Sequence, residues 1–380
     1  MRYLITLVCA TFLSLSAYSI EVEVWLYSDT DWNSGMLKID EGRYTILGDN
    51  QVIAVVDASI SSDLIYFSQN KSKLKVNYQG KSLGNFDRVF FKKMSDHGTL
   101  RTRVNEDERI YPDELAVQMF DDRPIMVNKV GLEKYVSGVV ESESGHITDL
   151  EYLKAQAIIA RTYVVKQMSR FTGNPYDLCD SPQCQAYRSV AFGKNGYAIY
   201  KAVFSTQGMI LTDKKGNPIT AAFHANSGGF TANSEDVWSS ELSYLRARKD
   251  TFSLRGPSAT WEKEIDKNTW INYIASQAPK LKTDTSLQEL VCNFTNPDRN
   301  PKINVGGEMI EFKDLRREFK LRSAYFDVFE KGNQVVLKGR GYGHGVGLSQ
   351  DGARYMAQLG YNFRDILSFY YKGVDLESLD

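Results

Sequence analysis

Between Glu21 and about Asn128, apolar and polar residues alternate in short runs: Val22-Glu23-Val24-Trp25-Leu26, Gln51-Val52-Ile53-Ala54-Val55-Val56, Lys73-Leu74-Lys75-Val76-Asn77-Tyr78 and Arg88-Val89-Phe90-Phe91. A period of two, bounded by Gly, Asn and Asp, predicts β-strands. After Val130 the period changes. Leu150, Leu153, Ala157, Ala160 and Val164 recur at steps of three and four, the apolar stripe of an amphipathic helix. That helix is expected over about 149–168, with Thr148 and Glu151 as a capping box at its start, which leaves Glu143 in the preceding loop. Residues 197–211 read as a helix and then a strand, 219–223 as a strand, 270–278 and 312–319 as short helices, and 334–338 as a strand. Two helices, 352–359 and 363–371, close the chain. The expected class is α+β: a β-rich region over 20–128, then a mixed α/β core over 129–380.

The first nineteen residues stand apart. Arg2 is followed by an apolar run from Leu4 to Leu15 and then by Ser16-Ala17-Tyr18-Ser19, the small residues a signal peptidase needs. Residues 1–19 are therefore expected to be a signal peptide cut after Ser19, since the run is too short to span a bilayer. Cys9 lies inside that run behind Leu7-Val8, where a lipoprotein signal would place a small residue. The expected location is outside the cytoplasm, in the periplasm or cell-wall space, without a transmembrane segment after cleavage. With 46 basic and 47 acidic residues the net charge is −1, and a nucleic-acid partner is not expected, because binding phosphates needs a basic surface. Aromatic residues make up 12% of the chain, 22 of them tyrosines, which suits sugar stacking and a β-rich core equally.

Three segments set polar groups among glycines or before a helix. The first runs from Glu143 to Tyr163. From spacing alone, Glu143 reads as a loop carboxylate that caps the next helix or pairs with Arg161. The second is His224-Ala225-Asn226-Ser227-Gly228-Gly229. Its Ser-Gly-Gly is not the Gly-x-Ser-x-Gly elbow of a serine hydrolase. Either the glycines let backbone approach a sugar, with Ser227 and Thr231 donating to it, or this is a tight turn with a capping serine. In the third, His344 sits among Gly341, Gly343, Gly345 and Gly347 and precedes Ser349-Gln350; no Gly-x-Gly-x-x-Gly phosphate loop occurs there. His344 is either a ligand contact or a histidine satisfied by nearby backbone.

Together these motifs resemble the family of the sporulation protein SpoIID and its LytB relatives, exported proteins that act on peptidoglycan. The resemblance covers nearly the whole chain after residue 19, from the early strands to Tyr370-Tyr371-Lys372-Gly373. It implies a catalytic core with a groove. In the family a glutamate follows a Leu-Glu-x-Tyr-Val-x-Gly-Val-Val segment, here 132–140, and precedes a Leu-Lys-Ala-Gln-Ala helix, here from Leu153. Glu143 holds that register, whereas Glu141 and Glu151 do not. This chain has Ser144-Gly145 where the family has Met-Pro.

The resemblance implies a lytic transglycosylase that needs one acid, because the 6-hydroxyl of muramic acid supplies the nucleophile and leaves a 1,6-anhydro end. A hydrolase would need a second carboxylate, and none stands out in the matching motifs. His224, Ser227, Thr231, His344, Ser349 and Gln350 are the implied substrate contacts, and glycan strands the implied substrate, with a cell-wall amidase as a further partner. The rival is a non-catalytic wall-binding protein of the amidase-enhancer type. Some relatives bind zinc through two cysteines and an upstream histidine. Here Cys179 and Cys184 are present, but residues 171–176 hold no histidine. No cofactor is therefore expected, and in an oxidising compartment a Cys179–Cys184 disulfide is the simpler outcome. Zinc with a replacement ligand stays open, and Cys292 is left unpaired and buried.

Overall fold

The computed structural model describes residues 20–168, 170–181, 184–188 and 196–379; the expected signal peptide at 1–19 lies outside them. Twelve strands come first: β1 Glu21–Leu26, β2 Ser34–Glu41, β3 Arg43–Gly48, β4 Gln51–Asp57, β5 Ile65–Asn70, β6 Lys73–Tyr78, β7 Lys81–Phe86, β8 Arg88–Lys93, β9 Thr99–Val104, β10 Asp107–Pro112, β11 Glu114–Phe120 and β12 Arg123–Gly131. They build two mainly antiparallel sheets, ordered β13-β1-β12-β11-β8-β3-β4 and β10-β9-β2-β5-β6-β7, where β13 is the later pair Leu178–Cys179. Every second residue of β1 and β3 is buried, as the alternation requires. Side chains of both sheets, such as Val24, Ile46 and Phe91 from one and Leu37, Phe67 and Leu100 from the other, meet in one core.

β12 runs straight into helix α1, Leu132–Ser144, and α2, Leu150–Gln167, packs against it. No helix is expected over α1 from the sequence. Yet Leu132, Tyr135, Val136, Val139 and Val140, its buried face, follow the i, i+3, i+4, i+7, i+8 pattern of a helix. Glu143 is therefore not a loop residue but stands in the last turn of α1. The expected capping box does not form either. Asp149 is the N-cap without a side-chain bond, while Glu151 pairs with Lys154 and accepts the N–H of Phe363.

Helix α3 (Gly196–Phe204) and strand β14 (Met209–Thr212) follow as expected. Residues 219–223 are not a strand. Ile219 N–H reaches back to Leu211 and Ala222 N–H to Thr220, so only β15, Phe223–His224, pairs, in parallel with the later Leu348–Ser349. The short helix α4, Ser234–Val237, precedes an inserted unit with its own core. This unit comprises β16 (Thr260–Asp266), α5 (Lys267–Gln277), α6 (Thr285–Cys292), β17 (Lys302–Val305), β18 (Glu308–Glu311), α7 (Phe312–Glu318), β19 (Phe326–Lys331) and β20 (Gln334–Arg340). Trp270, Leu281, Phe312, Leu315, Phe326 and Leu337 fill that core, and the free thiol of Cys292 is buried in it. The chain returns through the glycine run into β21 (Leu348–Ser349), α8 (Gln350–Gln358), α9 (Phe363–Tyr370) and β22 (Asp375–Ser378). The architecture is α+β, with a β-rich N-terminal region.

Candidate functional site

Glu143 ends α1 with little to hold its charge. Its carboxylate accepts one long hydrogen bond, 3.4 Å from the N–H of Ala186, and forms no ion pair among the described residues. Burial pushes its pKa above the usual 4.5, and only the Ala186 N–H works against that. The Arg161 partner expected from spacing belongs to another acid: Arg161 grips Glu133 through two bonds, of 2.9 and 2.5 Å.

Near Glu143 in the chain and on the helices that flank it are buried polar groups without a hydrogen-bond partner among the described residues. Tyr135 lies two turns earlier on α1, and its hydroxyl is coupled to Glu143. Gln156 follows Tyr152 by one turn on α2, and Gln185 adjoins Ala186. The Tyr135 hydroxyl and both amide atoms of Gln156 and of Gln185 are buried without a hydrogen-bond partner among the described residues. Buried polar groups almost always find partners, so these atoms are open to hydrogen bonds with water. Periodicity does not single them out, although a glutamine inside the wholly buried stretch of α2 from Ala155 to Thr162 is out of place by composition alone.

The segment that delivers Ala186 is anchored from both sides. Asp180, nearly inaccessible, accepts from Arg109 at 2.6 Å and from the N–H of Tyr27 at 2.6 Å. Tyr187 donates to Asn128 at 2.8 Å and lies against the Tyr135 ring, 4.7 Å between centroids. Cys179 and Cys184 are disulfide-bonded. The β-sandwich thus fixes the peptide that faces Glu143. Replacing both cysteines by Ser, or reducing the bond, is expected to lower unfolding stability by about 2 kcal/mol, the loop-closure entropy of so short a loop. Urea unfolding with and without reductant measures it, and coincident curves would show the bond to be absent from the purified chain.

The two glycine-rich segments meet each other. Asn226 and Tyr342 exchange backbone bonds of 3.0 and 2.8 Å, and a Cβ on Gly228, at φ +68°, would come within 2.5 Å of the Arg340 backbone. Ser227 and Thr231 are buried and turned inward, contrary to the expected sugar contact at the surface. The Ser227 hydroxyl donates to Asp250 at 2.7 Å, and Thr231 accepts the N–H of Arg248 at 3.0 Å. Ser349 is likewise buried, as the N-cap of α8, accepting from Gly352 and from Ser227 N–H. These three hydroxyls shape the loops rather than reach out of them.

His224 donates from Nδ1 to the Val346 carbonyl at 3.1 Å, and its buried Nε2 has no partner among the described residues. His344 accepts the Val346 N–H on Nδ1 at 3.0 Å, and its ring stands 5.5 Å from His224 and 5.4 Å from Trp238. Burial, then the charge of Arg316, pulls His344 down to about 4, and burial holds His224 well below its usual range. Both rings are neutral at pH 7. Half-buried Gln350 keeps an amide donor, Nε2, with no partner among the described residues.

Glu143 and the start of α8 both approach the first turn of α2. Tyr152 is coupled to Glu143 and to Asp351 alike, and Arg354 bridges to Asp149 at 3.0 Å. Asp351 itself is engaged by Asn226 at 2.8 Å and by the N–H of Ser258 at 3.3 Å, which ties it to the loops. Surface depressions of about 260, 240 and 350 Å³ are lined respectively by Glu23 and Arg88, by Trp261 and Arg322, and by Met36 and Tyr66. Glu143 lines none of these three. Among the described residues no group of three or more His, Cys, Asp or Glu side chains is arranged to hold a metal ion.

Fold and site define an α+β protein with one desolvated glutamate in the last turn of a helix and, elsewhere in the same core region, two glycine-rich loops paired with each other. Residues 121–212 match the family model SpoIID, described as stage II sporulation protein. The chain is 32% identical over 305 residues to stage II sporulation protein D of Bacillus amyloliquefaciens, covering 74% of this chain and 84% of that protein. It is 31% identical over 280 residues to the Bacillus subtilis (strain 168) protein of the same name, covering 67% and 76%. The amidase enhancer of Bacillus subtilis is 28% identical over 294 residues, 64% of this chain and 40% of that protein. This chain belongs to the SpoIID family. No helix among its described residues is long and apolar enough to cross a membrane.

Proposed function

We propose that this chain is an exported lytic transglycosylase of peptidoglycan, with Glu143 as its acid and base. The observation that carries the reading is the isolation of Glu143, whose pKa burial raises and whose one long hydrogen bond hardly opposes. A carboxyl whose pKa is raised keeps its proton to higher pH and can give it to the glycosidic oxygen as the bond to the anomeric carbon breaks. The resulting carboxylate then takes the proton of the muramic acid 6-hydroxyl as that oxygen bonds to the same carbon. The product is a 1,6-anhydro end, no water is consumed, and no second carboxylate is required, in contrast to hydrolytic glycosidases.

In this reading Gln350, the edge of His344 and the exposed ring of Tyr342 are the protein groups nearest a bound sugar, while His224, Ser227, Thr231 and Ser349 hold the loops that present them. The step uses no cofactor; one zinc per chain, lost on Cys184→Ser, would replace the disulfide in this account. A second reading has one specific support, the similarity to an amidase enhancer: the same groove binds glycan without cleaving it and brings a cell-wall amidase to its substrate. Mass spectrometry of muropeptides released from purified sacculi by the chain separates the two. Anhydro-muramyl ends are expected. Reducing ends would point to hydrolysis, and no release at all would favour the binding role.

A further inference from the structure

The inserted unit carries positive charge that the fold does not neutralise. Two of its arginines are paired, Arg340 with Asp327 at 2.6 Å and Arg317 with Asp314 at 2.9 Å. Arg299, Arg316 and Arg322 form no ion pair among the described residues. Arg299, held at φ +56°, spends its guanidinium on the backbone of both glycine-rich loops: the carbonyls of Ser227 and Phe230 at 2.6 Å each and of His344 at 3.3 Å. That bonding fixes the insert to the loops. A second tie is the Gly343 N–H, which donates to the Arg322 carbonyl at 2.9 Å.

The other two guanidiniums are left largely free. Among the described residues, Arg316, half-buried on α7, uses only Nε, on the Leu321 carbonyl at 3.3 Å. Arg322 is exposed and stands 5.7 Å from the ring of Tyr342. Arg316 is bonded to the carbonyl of Leu321, the residue before Arg322, and Tyr342, 47% exposed, lies within its electrostatic reach, so the two cations stand close together by one open aromatic ring two residues from His344. Beside them opens the depression of about 240 Å³ lined by Trp261, Lys263, Lys320, Leu321 and Arg322, with Glu262 as its one acid. The Lys263 ammonium is already bonded to the Phe319 carbonyl. Unused guanidinium donors of fixed fork geometry match a carboxylate, which can take two parallel hydrogen bonds.

We propose that Arg316 and Arg322 form an anion subsite, with Tyr342 as its apolar floor, for a carboxylate carried by the wall polymer bound at the glycine-rich loops. The inference rests on the reading that these loops take peptidoglycan, but not on cleavage. In that polymer a carboxylate has two sources, the lactyl group of a muramic acid without peptide and the acidic residues of a stem peptide.

The test is calorimetric binding at low salt, with three probes: peptide-free glycan oligomers bearing free lactyl carboxylates, the same oligomers methyl-esterified, and stem peptide alone. The wild type is expected to bind one of the two acidic probes roughly ten- to a hundred-fold tighter than the esterified glycan, the worth of one or two charge-assisted hydrogen bonds. Which acidic probe binds identifies the source. In Arg316→Gln/Arg322→Gln that ratio should fall toward one. Arg322→Gln alone, at an exposed position where folding is not at stake, should lower it part of the way. A wild type that does not distinguish acid from ester overturns the subsite, and so does a double variant that keeps the distinction. Binding that depends on both arginines, in a chain that releases no anhydro ends from sacculi, would uphold the subsite while removing the transglycosylase reading.

Discussion

Glu143→Gln is expected to lower the release of anhydro-muropeptides by about two to four orders of magnitude, the usual worth of a general acid or base, while leaving glycan binding and the fold intact. Stability should move the other way. In the folded protein burial raises the Glu143 pKa above its ordinary 4.5, so the folded state favours the proton. As pH rises through the ordinary pKa the unfolded chain releases that proton first, and stability is lost until the folded pKa is passed. A neutral glutamine avoids this loss, so the variant should melt no lower than wild type at pH 7. The advantage should disappear well below pH 4.5. For catalysis the same direction implies that kcat/KM falls as pH rises through the raised pKa, because the acid must begin protonated. A variant that is inactive but also unfolds early would make Glu143 a structural carboxylate, and near-normal turnover would remove it from the chemistry.

The same residue shows how the sequence was legible and where it was not. Register against flanking motifs picks Glu143 out of three nearby glutamates, yet periodicity alone does not place it. The helix it ends was written in the chain at Leu132, Tyr135, Val136, Val139 and Val140, but β-branched valines and Ser137-Gly138 depress helix propensity, and tertiary packing against α2 overrides that preference. The early strands were readable because their faces alternate between core and solvent. What could not be read is direction. A serine beside two glycines is equally suited to a ligand or to a turn, and only burial and the Asp250 partner decide that Ser227 faces inward. The capping box failed for a related reason: Glu151, free to cap in an isolated helix, finds a better partner in the N–H of Phe363, distant in sequence. Long-range partners of this kind also define Arg299, whose role depends on three carbonyls from two other loops.

Arg161→Met is expected to cost about 3 to 5 kcal/mol in unfolding free energy, the range for removing one partner of a buried ion pair. Arg161 is fully buried. Besides its two bonds to Glu133 it reaches the Met209 carbonyl at 3.0 Å, while Glu133 also accepts the N–H of Gly208 at 3.2 Å. The pair thus joins the first turn of α1 to the middle of α2 and to the start of β14. Loss of the guanidinium leaves a carboxylate facing an apolar side chain in a site with little water to solvate it. The cost is then the desolvation of Glu133 rather than the energy of the pair itself, which a double variant can show. Arg161→Met with Glu133→Leu removes both charges and should recover most of the loss, since replacing a buried pair with apolar residues of similar size is often neutral. Urea unfolding of the three proteins gives the comparison. Should the single variant lose less than about 1 kcal/mol, the value of an exposed pair, the brace between α1 and α2 lies elsewhere. If it loses the expected amount, cleavage should fall as well, because α1 carries Glu143 at its far end and positions the carboxyl only while its first turn is held against α2.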